Sequence, residues 1–166
     1  MDTTAPDPEV ILEKLRQWCA ASEHCSRDVA IKLQRLHFPA DKVEDAIATL
    51  RKEGFIDDER FARAFVRGKF QNLKWGRQKI ANELRARGFD KCLIDLAMEE
   101  IQEEEYFGVV EKEINKKLNS LKNRDSLSQK AALLRFASSR GYELSLVSRI
   151  LKNPDIEYFN NTNTEE

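Results

Sequence analysis

Helix breakers are scarce in this chain. Its 166 residues include four prolines and six glycines, and no proline falls between Ala40 and Asn153. Collagen-like and low-complexity classes are thereby excluded, and 41% hydrophobic residues are too many for wholesale disorder. No apolar run approaches the roughly 18 residues a membrane span requires. The N-terminus has no charged-then-apolar signal segment. A soluble, cytoplasmic protein without membrane partners is expected.

Histidine and cysteine are equally sparse, at two and three residues. With only His24 and His37 available, few hydroxyls or thiols could find a general base. A metal site would have to be drawn from Cys19, His24, Cys25 and His37. Zinc modules pair their ligands as C-x₂₋₄-C and H-x₃₋₅-H, and this spacing fits neither. Reduced thiols packed as small apolar residues are the simpler reading of Cys19, Cys25 and Cys92. No Gly-rich phosphate loop is present. The acidic run Asp57-Asp58-Glu59 follows Gly54-Phe55-Ile56, where it suits an N-cap and favourable charge at the start of a helix. No catalytic residues, metal or cofactor are expected.

Apolar residues instead recur at intervals of three and four almost throughout, the helical period. Ile11, Leu15, Trp18 and Cys19 predict a first helix over about 8–21. Ser26 is placed to cap a second, with Val29, Leu33 and Leu36 on one stripe. Pro39 suits the opening turn of a third, carrying Val43, Ala46, Ile47 and Leu50. Gly54-Phe55, Gly88-Phe89 and Gly141-Tyr142 each follow an amphipathic segment, the order of a Schellman ending.

Aligning Phe38, Phe89 and Tyr142 exposes a repeat. Val43, Ile94 and Val147 stand five residues on, followed by Ala46, Ala97 and Ile150, then Ile47, Met98 and Leu151. The fold class expected is all-α, with three tandem three-helix units at 8–54, 55–104 and 105–152 in an elongated or curved modular arrangement. Residues 1–7 and 153–166 are expected to be flexible. His37 takes the place of the glycine in the first unit, so that helix end is expected to differ.

Charge is near balance, 28 Lys+Arg against 29 Asp+Glu, but it is segregated. From Arg60 to Lys91 ten basic residues face only Glu83 and Asp90, giving 10 − 2 = +8. Asp95 to Glu113 then holds eight acids and one base. The third unit is basic again through Lys116, Lys117, Lys122, Arg124, Lys130, Arg135, Arg140 and Arg149. Arg63, Arg67 and Phe70 fall on one helical stripe, with Phe61, Phe65 and Val66 on another side. Lys74-Trp75-Gly76-Arg77 forms a basic, aromatic junction before Lys79, Arg85 and Arg87. Such a patch suits contact with phosphates or an acidic partner, while a solvated face balancing the acidic segment is the alternative.

Leu50-Arg51-Lys52-Glu53-Gly54-Phe55-Ile56-Asp57-Asp58-Glu59-Arg60-Phe61-Ala62-Arg63-Ala64-Phe65-Val66-Arg67 strongly resembles the central signature of the RecX family of recombination regulators. Lys74-Trp75-Gly76-Arg77-Gln78-Lys79-Ile80 and Glu83-Leu84-Arg85-Ala86-Arg87-Gly88-Phe89 resemble its next block. Ser26-Arg27-Asp28-Val29-Ala30-Ile31-Lys32-Leu33 is similar to its serine-started second helix. The likeness covers about residues 8–152 and is weakest in the third unit.

This resemblance implies a non-enzymatic modulator of the RecA recombinase. It would lodge in the groove of the RecA–DNA filament, bridge protomers, and damp ATP hydrolysis, strand exchange and co-protease activity in the SOS response. The contact residues expected are Arg63, Arg67, Lys69, Lys74, Trp75, Arg77, Lys79, Arg85 and Arg87. The partners would be RecA and the single-stranded DNA within its filament, with weak direct DNA binding by a monomer. A stand-alone helical DNA-binding module, or a helical scaffold docking through Glu103-Glu104-Glu105, are the other readings.

Overall fold

A computed structural model describes residues 7–152 and is all-helical among them. The expected flexible segments lie outside the described residues, apart from Asp7, whose carboxylate accepts from the Glu9 amide and caps the first helix. The helices are α1 (Pro8–Ala21), α2 (Ser26–Arg35), α3 (Val43–Lys52), α4 (Asp58–Leu73), α5 (Arg77–Ala86), α6 (Lys91–Met98), α7 (Glu103–Ser120), α8 (Ser126–Arg140) and α9 (Leu144–Leu151). A 3₁₀ turn, Ala40–Lys42, leads into α3, so Pro39 precedes that turn and does not open the helix itself. No helix among the described residues is long and apolar enough to cross a membrane. The chain packs as two compact bodies that divide within α4, after Ala64.

In the N-terminal body, Ile11, Leu15 and Cys19 of α1 meet Val29 and Leu33 of α2 and Ala46, Ile47 and Leu50 of α3. These residues stand three or four apart on each helix, so one stripe per helix is withdrawn from water. Arg16 ties α1 to the end of α3 through a two-pronged contact with Glu53, at 2.9 and 3.0 Å. That contact raises the Arg16 pKa and lowers that of Glu53.

The start of α2 differs from expectation. Cys25, not Ser26, stands at the cap position, and its amide donates to Asp28 at 3.4 Å. Ser26 opens the helix, and both its amide and its hydroxyl donate to Asp58, at 2.8 and 2.7 Å. Arg51 adds a third donor to that carboxylate at 2.9 Å. Asp58 therefore closes the open N-terminus of α2, while Asp57 caps α4 through the Arg60 amide at 2.9 Å. Two adjacent aspartates thus satisfy the amides of two different helices.

In the C-terminal body, α5 packs on α6, and α7 packs on both α8 and α9. Its core includes Val66, Phe70, Ile80, Leu84, Ile94, Tyr106, Val110, Ile114, Leu133, Ala137, Tyr142 and Val147. Phe70 does not share an outer stripe with Arg67. It is 2% exposed, and its ring lies 5.8 Å from that of Tyr106.

The helix endings recur with the expected geometry. Gly54, Gly88 and Gly141 have φ of 81°, 86° and 79°, and the aromatic after each donates its amide back to the last turn of the helix. His37 does the same without a glycine. Its φ is 56°, its amide reaches Gln34 at 3.1 Å, and the Phe38 amide reaches Leu33 at 3.0 Å. The first such ending therefore matches the later ones. The paired hydrogen bonds outweigh the cost of holding a Cβ-bearing residue in the left-handed region.

Candidate filament and nucleic-acid interface

The basic residues singled out by sequence separate into three groups. In the first, arginines pair with carboxylates of the same body. Arg63 donates to Glu59 one turn earlier at 2.9 Å. Arg67 pairs with Glu100 at 2.7 Å and Arg77 with Glu103 at 2.8 Å. The acidic segment therefore neutralises part of the basic one. Glu103 is one member of the acidic run considered as a docking face, and it is engaged within the chain.

Arg77 is an anchor as well as a cation. Its amide donates to the Tyr106 hydroxyl at 3.1 Å, and its guanidinium lies 4.3 Å from the centre of the Tyr106 ring. That hydroxyl donates to Glu143 at 2.5 Å. Burial first, and then the Glu143 carboxylate, raise the Tyr106 pKa, so the phenol stays protonated as a donor.

In the second group, cations turn onto backbone or polar groups. The Lys74 ammonium donates to the Gln71 carbonyl at 2.5 Å, and Arg85 donates to Asn82 at 2.6 Å. The Lys74 backbone, at φ 55°, belongs to a joint between the α4–α5 turn and the α8–α9 corner. At that joint the Gly76 amide donates to the Arg140 carbonyl at 2.6 Å, and the Gln78 amide to the Gly141 carbonyl at 3.2 Å. Arg140 donates to the Leu73 carbonyl at 2.8 Å, and the Tyr142 hydroxyl to the Lys74 carbonyl at 2.6 Å. Burial pushes the Tyr142 pKa up to about 12, chiefly by desolvation, which keeps that donor in place. Gly76 is required because a Cβ there would stand 2.1 Å from the Gly141 oxygen.

The third group is a row of cations interleaved with rings. The Lys69 ammonium lies 5.1 Å from the centre of Phe65 and 4.8 Å from that of Trp75. Lys79 covers Trp75 at 4.3 Å, and Arg87 lies 5.4 Å from Phe65. Trp75 is half-buried, flanked by two ammonium groups. The order Arg87, Phe65, Lys69, Trp75, Lys79 places apolar ring surface between positive charges, a combination suited to anionic partners that also carry flat apolar groups. Of the nine residues expected at the interface, Lys69, Trp75, Lys79 and Arg87 are brought together here.

Phe65 completes this row but reads in the sequence as an ordinary apolar helix position. Only its i, i+4 relation to Lys69 hinted at the pairing. No group of three or more His, Cys, Asp or Glu side chains suited to a metal occurs among the described residues. The His24 ring is stacked on Trp18 with centres 3.4 Å apart, and its Nε2 lies 2.8 Å from the Ser22 hydroxyl.

Residues 57–98 match the family model described as "RecX, second three-helix domain". A regulatory protein RecX of Oceanobacillus iheyensis is 30% identical over 130 residues, covering 78% of this chain and 47% of the relative, so the chain spans about half that protein's length. One from Pseudomonas entomophila is 26% identical over 156 residues, 94% of this chain and 99% of the relative. Among solved structures, a crystal structure titled regulatory protein RecX has a TM-score of 0.80 at 20% identity, covering 88% of this chain and 72% of that one. RecX from Lactobacillus salivarius has 0.78 at 15%, covering 93% and 99%. These structures share the tandem helical fold. The matched domain and the sequence likeness over most of the chain support the RecX family of regulatory proteins.

Proposed function

We propose that this chain regulates a RecA recombinase by binding the RecA–DNA filament along its groove, bridging neighbouring protomers and slowing ATP hydrolysis, strand exchange and co-protease activity. The observation that carries the reading is likeness over 94% of the chain to a protein named regulatory protein RecX. The action is mechanical and needs no catalytic group. RecA protomers held together cannot make the rearrangement that turnover requires. The chain acts as a monomer of three tandem three-helix units, 8–54, 55–104 and 105–152, whose modest contacts add through multivalency.

Within the second unit, the Arg87–Phe65–Lys69–Trp75–Lys79 row supplies the contact with filament or phosphate. The other five residues of the expected set act differently. Arg63, Arg67 and Arg77 pair with acids, and Lys74 and Arg85 donate to neighbouring polar groups without a ring between them.

The test is ATP hydrolysis by the cognate RecA on single-stranded DNA, titrated with this protein at physiological salt. Loss of turnover well below one protein per RecA is expected. The Lys69→Glu/Lys79→Glu double variant should remain helical and lose most of the inhibition. Unaltered turnover at equimolar folded wild-type protein would refute the reading.

A further inference from the structure

The C-terminal body carries a second basic surface, in its third group of helices. An open groove of about 400 Å³ is lined by Lys117 and Leu121 from the end of α7, Arg124 from the following turn, and Ala132, Arg135, Phe136 and Ser139 of α8. Three of these seven residues are cationic, one is aromatic, and none is acidic. Lys117, Arg124 and Arg135 enter no ion pair among the described residues, unlike Arg63, Arg67 and Arg77. Arg124 and Arg135 are exposed. The half-buried Phe136 ring has the Lys117 ammonium at 5.5 Å and the Arg140 guanidinium at 5.4 Å from its centre.

We infer that this groove seats the phosphodiester backbone of a single-stranded nucleic acid, with Phe136 offering a face for a base. Charge complementarity argues for the occupant. Uncompensated cations around a groove without carboxylates attract a polyanion, and a flanking aromatic favours one whose bases are unpaired and free to stack. An acidic protein surface would satisfy the cations but would leave the ring unused.

The groove is also continuous with the row of the preceding helices. Lys79, which covers Trp75, donates its ammonium to the Ser139 carbonyl at 3.0 Å, and Ser139 lines the groove. Lys79 therefore joins Trp75 to the edge of the groove. A strand in the groove would run on to Lys79 and Trp75. The inference rests on the filament reading only in making this the strand the filament holds. Binding to bare DNA tests it separately.

The experiment measures fluorescence anisotropy of a labelled oligothymidylate, without RecA, across a salt series. The proteins are wild type, Arg124→Glu/Arg135→Glu, Phe136→Leu, and the equally charged control Lys42→Glu/Lys52→Glu, with circular dichroism confirming helicity. Wild type should bind with strong salt dependence. Removing two phosphate contacts should lower the magnitude of the log K–log salt slope by about 1.4, at about 0.7 per contact on single strands. Phe136→Leu should weaken binding while leaving the slope unchanged. The control should keep the wild-type slope. An Arg124→Glu/Arg135→Glu slope and affinity equal to those of the control overturn the inference, as does duplex binding as tight as single-strand binding with Phe136→Leu silent. RecA inhibition measured in parallel judges the filament reading on its own, because inhibition that survives loss of oligothymidylate binding leaves the groove a strand site and removes only its part in the filament.

Discussion

Gly76→Ala would add one methyl group at the joint between the α4–α5 turn and the α8–α9 corner. Gly76 has φ −77°, which any residue adopts, so backbone strain contributes nothing and the effect is purely steric. The new Cβ would lie 2.1 Å from the Gly141 oxygen, 2.3 Å from its carbonyl carbon and 2.6 Å from the Tyr142 nitrogen. All three are backbone atoms, so no side chain can rotate away. Restoring an ordinary carbon–oxygen contact needs a separation of about 1.2 Å. That movement takes the Gly76–Arg140 and Gln78–Gly141 bonds past hydrogen-bond range. Two backbone donors at a joint where Gly76 and Gly141 are both buried lose their partners, at about 1–2 kcal/mol each.

Alanine also restricts the unfolded chain, which offsets about 0.4–1 kcal/mol. The net expectation is a loss of about 2–3 kcal/mol from the C-terminal body. Urea unfolding followed by Trp75 emission, in a Trp18→Phe background, measures it directly. Gly68→Ala is the matched control. Gly68 lies within α4, and a Cβ there would meet nothing within 4 Å. The same chemical change should stabilise at that site, by about 0.5–1 kcal/mol. A Gly76→Ala midpoint equal to wild type, or two substitutions of the same sign, would refute the steric account.

Two other outcomes are expected. Asp58→Ala should cost about 1–2 kcal/mol by leaving the Ser26 amide without its acceptor, while Arg51 keeps the Ser26 hydroxyl at 2.8 Å. Burial pushes the Asp58 carboxyl up, but the bonds from Ser26 and Arg51 together outweigh it and hold the pKa below the usual range. A depressed carboxyl contributes stability that is present above its unfolded value of about 3.9 and is lost as pH falls through the folded one. Acid denaturation profiles of wild type and Asp58→Ala should therefore converge at the lowest pH, and parallel profiles there would contradict the assignment. His37→Gly should stabilise the N-terminal body by about 0.5–1 kcal/mol, because His37 is exposed and held at φ 56°. A lower thermal midpoint in that variant would mean that the imidazole contributes a contact worth more than the strain.

The fold was legible in the sequence because its information is local. The period of apolar residues depends only on 3.6 residues per turn, and glycine before an aromatic encodes a helix ending within six residues. Even His37 was legible as the odd member of that series. Its sequence predicted an altered helix end, whereas the hydrogen bonds of the ending imposed the shared geometry.

Side-chain partners were far less legible. Ser26 looked like a cap by position, yet its hydroxyl is claimed by Asp58, 32 residues away. Arg67 and Arg77 are separated from their acids by 33 and 26 residues, and composition cannot say which of many charges will meet. Trp75 and Gly76 read as parts of one basic junction. Tertiary structure divides them, giving Trp75 to the cation row and Gly76 to a backbone seam with residues more than 60 positions later.

The sequence by itself therefore determined the helices, their endings and the segregation of charge, since each depends on neighbours along the chain. Only the tertiary structure decided which cations are neutralised and which are left around a groove. Ion pairing acts over a few ångströms in space, and folding sets those distances without regard to separation along the chain.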